Sequence, residues 1–293
     1  MGYQSIYRQG LFDGQVIIVT GGGSGIGRST AHELASLGAT VVVVGRDPTK
    51  LAAVKGEIEA EGGRVGTHVC DIREEVQVVA TIDAVLAEHG RIDGLVNNAG
   101  GQYRSPLKDI STRGFESVVR NNLTGGFIFM REVYNRHMKA HGGNIVNIIA
   151  DIWNGWAHYG HSGAARAGMW NLTETAASEW APSGVRINAV AVGGVASSGF
   201  DTYPPEAQRE ILKFPTKIPM QRYGTVSEVS SAIVYLLSPG ANFITGTCIR
   251  VDGGAPNLRA CWIEPTPHKK AVPYNGFHLD EPPRLLTEGP KPE

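Results

Sequence analysis

The chain is poor in cysteine, in net charge and in long apolar runs, and each shortage removes a class of function. Only three cysteines, Cys70, Cys248 and Cys261, occur in 293 residues. They are too few and too widely spaced for a disulfide framework or a zinc site, so no metal is expected and the thiols read as those of a reducing compartment. The 27 Lys and Arg nearly cancel the 28 Asp and Glu, leaving a formal charge of -1 with no block of either sign. That balance argues against nucleic acid or an anionic membrane as the partner and leaves a small molecule. No apolar run approaches the ~20 residues of a membrane span. The opening MGYQSIYRQGLFDGQ is too polar for a signal peptide, and Ile6 stands where a myristoylation signal has Ser or Thr. A soluble, cytoplasmic protein is expected.

What the chain has in abundance is glycine, 38 residues, nearly double the usual share of ~7%. It also has short β-branched runs. QVIIVT (15–20) and TVVVVG (40–45) have the composition of parallel strands buried on both faces. Further strands are expected at GTHVC, DGLVN, NIVNII, RINAVAV and TCIRVD, with helical periodicity between the first two and near 73–89, 113–138, 162–181 and 226–238. Strand and helix in alternation imply an α/β fold with a doubly wound, seven-stranded parallel sheet. The composition changes after Gly254, so residues 1–254 read as one domain and 255–293 as a proline-rich C-terminal extension. Cys261, Trp262, Ile263, Tyr274 and Phe277 give that extension enough apolar surface to dock, against or near a neighbouring subunit.

TGGGSGIGR (20–28) follows the first strand and opens the first helix. In that setting Gly21, Gly25 and Gly27 let the backbone turn and approach a pyrophosphate, with Ser24 and Ile26 in the same turn and the helix N-terminus facing the anion. The second strand ends in GRDPTK. Arg46 offers a fork for the 2'-phosphate of NADP(H), with Gly45 leaving room, whereas Asp47 one position later is the kind of group that holds the ribose of NAD(H). NADP(H) is the expected cofactor.

These motifs, with those that follow in the same order, resemble the short-chain dehydrogenase/reductase family from Thr20 to Gly254. CDI resembles the family's adenine-contacting segment and places Asp71 and Ile72 there. NNAG (97–100) resembles the turn that supports the cofactor, with Asn98, Ala99 and Gly100. NNLTG puts Asn122 at the catalytic asparagine, and Val195 and Ser197 fall where the nicotinamide amide is held. The resemblance implies a Rossmann-type sheet and a homotetramer or homodimer. It also exposes departures. Ile149 and Ala150 occupy the neighbourhood of the family's serine, Ser162 stands at the tyrosine, Arg166 at the lysine and Val192 at a proline.

Protonating a ketone oxygen during hydride transfer needs an acid near neutral pKa, which a serine hydroxyl is not. Reducing a double bond conjugated to a thioester asks instead for hydrogen-bond donors and positive charge at an enolate oxygen. Ser162 and Arg166, four apart on one helix face, supply both. Asp151 after the fifth strand, buried beside Trp153 and Trp156, is a candidate acid, and His161 or water are others. HSGAARAG (161–168), NNLTG and GGQYRSP also resemble enoyl-CoA and dienoyl-CoA reductases within the family, while LFDGQ and HSGAARAGM resemble its citronellol and acyclic-terpene members. The expected activity is NADP(H)-dependent reduction of an enoyl-CoA-type double bond on a small apolar or acyl-CoA substrate. The alternatives are an alcohol or aldehyde dehydrogenase of terpenoid breakdown, and a nucleotide-binding scaffold without turnover.

Overall fold

The computed structural model describes residues 2–258 and 263–290. Cys261 and Trp262, expected to help the tail dock, lie outside these residues. Seven parallel strands run in the order β3-β2-β1-β4-β5-β6-β7. They are β1 (Val16–Thr20), β2 (Thr40–Gly45), β3 (Arg64–Val69), β4 (Gly94–Asn97), β5 (Gly143–Ala150), β6 (Val185–Val192) and β7 (Cys248–Val251). β1 pairs with β2 on one side and β4 on the other, so strand order reverses there and a crevice opens at the carboxyl ends.

Helices cover both faces. α1 (Gly25–Ser36), α2 (Pro48–Ala60) and α9 (Val226–Leu237) bury Leu34, Ile58 and Ile233 against Ile17, Val41 and Val43. On the other face α3 (Glu75–His89), α5 (Gly125–Val133) and α7 (Gly160–Trp180) bury Ile82, Phe129 and Ala176 against Ile18, Val42 and Leu95. Alternate residues of one strand thus feed two cores, which is why these strands read as unbroken apolar runs.

Three details depart from the sequence reading. The helical stretch expected over 113–138 is α4 (Thr112–Val119), α5 and α6 (Lys139–His141), joined by π-helical turns at Arg120–Thr124 and Tyr134–Met138. α2 and α8 (Pro205–Lys213) lie outside the stretches read as helical. α2 follows a sound rule all the same, because Asp47 accepts from the N–H groups of Thr49 and Lys50 at 3.0 and 3.3 Å and Pro48 occupies the first turn.

The third departure is the tail, which packs on its own chain. Phe277 is 3% exposed, stacked 5.8 Å from the Tyr3 ring and 4.8 Å from His32, with the Arg28 guanidinium 5.1 Å over it. Backbone joins the two ends of the chain: Gln4 N–H donates to Gly276 O at 2.8 Å, and the Tyr274 hydroxyl donates to Gln4 O at 2.7 Å. Phe277 N–H reaches Ser227 Oγ in α9 at 3.0 Å. Beneath this lock Glu33 is fully buried and accepts from the hydroxyls of Tyr3 (3.1 Å), Ser5 (2.7 Å) and Ser230. Burial pushes its carboxyl pKa up.

Phe277→Ala removes the ring at the centre of the lock and is expected to cost about 3 kcal/mol, read as a lower urea midpoint together with faster proteolysis at both ends of the chain. The raised pKa of Glu33 means that its burial penalty applies while it is charged and is relieved as pH falls. Wild-type stability relative to Glu33→Gln should therefore rise as pH is lowered from neutrality toward the ordinary carboxylate range; parallel curves would contradict this.

Candidate active site

The crevice is built first by backbone. Gly21 and Gly25 have φ of +66° and +52°, conformations that side chains resist, and a Cβ on Gly27 would collide with the carbonyl oxygen of Gly21. Thr20 ties this loop to the turn after β4: its Oγ1 accepts from the N–H groups of Asn98 and Ala99, both at 3.0 Å, and donates to Val96 O at 3.2 Å. The Asn98 amide returns two bonds, to Thr20 O at 3.0 Å and Gly21 O at 3.3 Å. Asn98 therefore shapes the cradle from behind. Ser24 stands at the N-terminus of α1 in extended conformation, and its hydroxyl makes no capping bond. The first-turn N–H groups and that hydroxyl are thus left for an anion, while Ile26 packs against the core behind them.

The crevice continues as a cleft of about 310 Å³ lined by Gly21, Ser24, Arg46, Lys50, Asp71, Ile72, Ala99 and Gly100, among others. A Cβ on Gly45 would rest 3.4 Å from Leu51, so that position lies flat against the wall. Arg46 and Lys50 are exposed at the rim. Asp47, the acidic rival to Arg46, has its carboxylate occupied by the N-terminus of α2. Asp71 is held by Arg73, whose Nε is 2.9 Å from Oδ1, and that pairing keeps its pKa below the usual carboxylate range. Ile72 is buried against Gly125, where a Cβ would approach it to 2.7 Å. On the far wall Val195 is buried and pairs with Gly224, and Ser197 stands 3.8 Å from where a Cβ on Gly25 would lie.

Beyond the cleft three elements converge. The π turn at Arg120–Thr124 directs Asn122, 2% exposed, at the loop after β4. Asn122 Oδ1 accepts from Gly101 N–H and its Nδ2 donates to Gly101 O, both at 2.9 Å. The same Nδ2 approaches Ser162 Oγ at 3.5 Å. Ser162, fully buried in the first turn of α7, donates to Gln102 Oε1 at 2.6 Å. One turn on, the Arg166 guanidinium donates to Ile148 O at 2.7 Å and fills the space a side chain on Gly100 would take. It is partly exposed yet ringed by protein, and this desolvation lowers its pKa to about 10. Arg166 remains cationic at neutral pH.

Asn122, Ser162 and Arg166 are thus brought together, and Gln102 joins them. Sequence reasoning passed over Gln102, whose only signal is its place two residues after NNAG. Asp151 is not joined to them by any hydrogen bond among the described residues. Its charged neighbours are Asp252 and Arg250 at the end of β7; burial and Asp252 raise its pKa, and one carboxylate oxygen is buried without a partner. Trp153 lies under the Arg250 guanidinium at 5.3 Å, and Trp156 lies 5.0 Å from Tyr159. The Tyr159 hydroxyl is pushed up in pKa by burial and by Tyr203, which is the reverse of what a phenol acid needs. His161 accepts from Ser162 N–H at 2.8 Å and meets the Tyr103 ring edge-on at 4.5 Å.

The geometry agrees with known proteins. A family profile described as Enoyl-(Acyl carrier protein) reductase matches residues 21–256. The peroxisomal 2,4-dienoyl-CoA reductase, (3E)-enoyl-CoA-producing, of Danio rerio is 35% identical over 257 residues, covering 86% of this chain and 85% of its own. A probable 2,4-dienoyl-CoA reductase, (2E)-enoyl-CoA-producing, of Bacillus subtilis (strain 168) is 34% identical over 86% of this chain and 98% of its own. Among solved structures, a citronellol catabolism dehydrogenase (AtuB) of Pseudomonas aeruginosa PAO1 is 57% identical, with a TM-score of 0.79 over 87% of this chain and 100% of its own. With its glycine cradle on one side and Asn122 on the other, the chain belongs to the short-chain dehydrogenase/reductase family and is an oxidoreductase of the NAD(P)(H)-using kind.

Proposed function

We propose that this chain uses NADP(H) to reduce a carbon–carbon double bond conjugated to a thioester carbonyl, on an enoyl-CoA or dienoyl-CoA type of substrate. The observation that carries the reading is the Gln102–Ser162–Asn122 chain beside Arg166, a set of donors and fixed charge without a phenol or an amine at the position that would supply an acid. Reduced nicotinamide, when bound, supplies the hydride. Gln102 spends its Oε1 on Ser162, which leaves its amide N–H groups for the substrate's carbonyl oxygen. Arg166 adds positive charge in a water-poor setting, where it is worth more against a developing enolate than in bulk solvent. The slower proton at the α-carbon is left to water, and Asp151, turned toward Asp252, has no assigned part.

For the cofactor, Arg46 and Lys50 form a cationic rim for the 2'-phosphate, with Gly21, Ser24, Gly25 and Gly27 beneath the pyrophosphate. Asp71, Ile72, Asn98, Ala99, Gly100, Val195 and Ser197 complete the walls. We extend the reading to a homotetramer or homodimer, as the family resemblance implies.

A second reading has its own support: the solved citronellol catabolism dehydrogenase shares 57% identity. Oxidising an alcohol requires a base for the hydroxyl proton. Ser162 faces a neutral amide and Arg166 keeps its proton to a pKa of about 10, so the site is better suited to stabilising an anion than to making one.

NADPH should be consumed with trans-2-enoyl-CoA or 2,4-dienoyl-CoA, giving a product that keeps its thioester. NADP⁺ reduction by citronellol, with no thioester turnover, would establish the second reading; NADPH binding without turnover of either would mark a scaffold. Ser162→Ala releases the Gln102 amide that faces the substrate oxygen and is expected to lower kcat about 100-fold, the scale of a lost donor at a developing oxyanion. Arg46→Ala should weaken NADPH binding about 30-fold, as for the loss of a charge-assisted bond worth ~2 kcal/mol, while leaving NADH binding unchanged within a factor of two. Asp151→Asn should leave the pH–rate profile where it is, and a displaced limb would return Asp151 to the reaction.

A further inference from the structure

Residues 198–217, between β6 and α9, form a lid-like segment beside the site. Its root at Ser197 stands over the glycine loop. The lid continues as a 3-10 turn (Ser198–Thr202), α8 and a second turn (Phe214–Lys217). Tyr203 acts on the hydroxyl of Tyr159, three residues before Ser162, so the lid reaches the substrate side as well as the cofactor side. Its outer end is anchored by Tyr223, whose ring lies 4.9 Å from Phe200 and 6.1 Å from Phe214 and whose hydroxyl donates to Ile211 O.

One further contact comes from the first of these turns. Asp201, near the start of the lid, accepts from two backbone N–H groups of the tail: Arg284 to Oδ2 at 3.0 Å and Leu285 to Oδ1 at 2.8 Å. These open the short helix α10 (Arg284–Glu288), so a lid side chain caps a tail helix. Leu285 is fully buried, and α10 packs against both α8 and the Ser198–Thr202 turn. The tail is fixed upstream by Phe277 and Tyr274, so the link from α9 through the tail to the lid is continuous among the described residues 263–290. Past Phe277 the tail still packs on the body, through His278 at 2.8 Å from Glu61 and Leu279 against the core, before Arg284 and Leu285 reach the lid.

We propose that the C-terminal tail is a strap that holds the lid beside the site, with Asp201 and Leu285 as positioning residues that set how tightly the site closes on the substrate's apolar chain. The strap rests on geometry; its link to an acyl substrate rests on the function proposed above. Both residues act through the lid's position, so their loss should appear in substrate binding and lid mobility, and little in cofactor binding or in the chemical step.

The test compares wild type, Asp201→Ala, Asp201→Asn and Leu285→Ala as full-length proteins with NADPH present. Hydrogen exchange of the amides over 198–217 and trypsin cleavage after Lys213 and Lys217 report the lid. Asp201→Ala is expected to speed lid exchange about fivefold, the size of effect that a lost helix cap of ~1 kcal/mol produces. Asp201→Asn keeps one acceptor and should recover part of the effect. KM for a trans-2-enoyl-CoA should rise about fivefold with kcat within a factor of two and NADPH Kd unchanged, on that same ~1 kcal/mol scale. Lid exchange and cleavage equal to wild type in Asp201→Ala and Leu285→Ala would overturn the strap, as would a loss confined to kcat. If no acyl thioester is turned over, exchange and cleavage still decide the strap, and the substrate reading fails by itself.

Discussion

One hydroxyl holds the working end of this molecule together. Thr20 Oγ1 takes two N–H groups from the turn after β4 and gives its proton to Val96, so the glycine loop and that turn form one rigid lip at the point where strand order reverses. The loop alone would be a run of flexible residues, costly to order around a ligand. Tied to Thr20 and to the Asn98 amide it is ordered before any ligand arrives, and the free N–H groups at the start of α1 are fixed in direction. The placement of Gly100 and Arg166 follows, because the same turn runs on into the loop that Asn122 clasps.

Arg166 shows how the departures from the family pattern compensate one another. A guanidinium is longer and broader than an ammonium, and here it occupies space kept open by Gly100, its charge satisfied by the Ile148 carbonyl. Its lowered pKa is the mark of that burial, yet the group stays charged throughout the neutral range. Ser162 is correspondingly shorter than a phenol, and the gap is bridged by Gln102 from the facing loop. On the function proposed above, the pair exchanges proton transfer for charge stabilisation.

Much of this was legible in the sequence. Buried parallel strands announce themselves as β-branched runs, the glycine loop by its place between a strand and a helix, and Asn122 by the resemblance of NNLTG to the family's motif. Ser162 and Arg166 share a helix face by spacing alone. What escaped were features decided by tertiary contact. Gln102 lies on an irregular loop, where no periodicity marks a side chain as inward. The π turn that aims Asn122 adds one residue to a helix without a composition signal. Asp151 follows the fifth strand, and its charged neighbours are Asp252 and Arg250 at the end of β7, far along the sequence. Asp47 reads as an acidic rival to Arg46 until its capping role is seen. The tail's apolar residues foretold docking, but a single sequence does not say on which surface.

The lock between Gln4, Gly276, Tyr274 and Phe277 joins parts of the chain some 270 residues apart. Glu33 in α1 is sealed by Tyr3, Ser5 and Ser230, and Phe277 from the far end of the chain covers His32 and the Tyr3 ring. The Rossmann sheet can assemble from segments near one another in sequence, whereas this closure must bring together residues 270 apart and is expected to form late. Until then α1 displays a carboxylate and an imidazole where the mature protein has a dry interface.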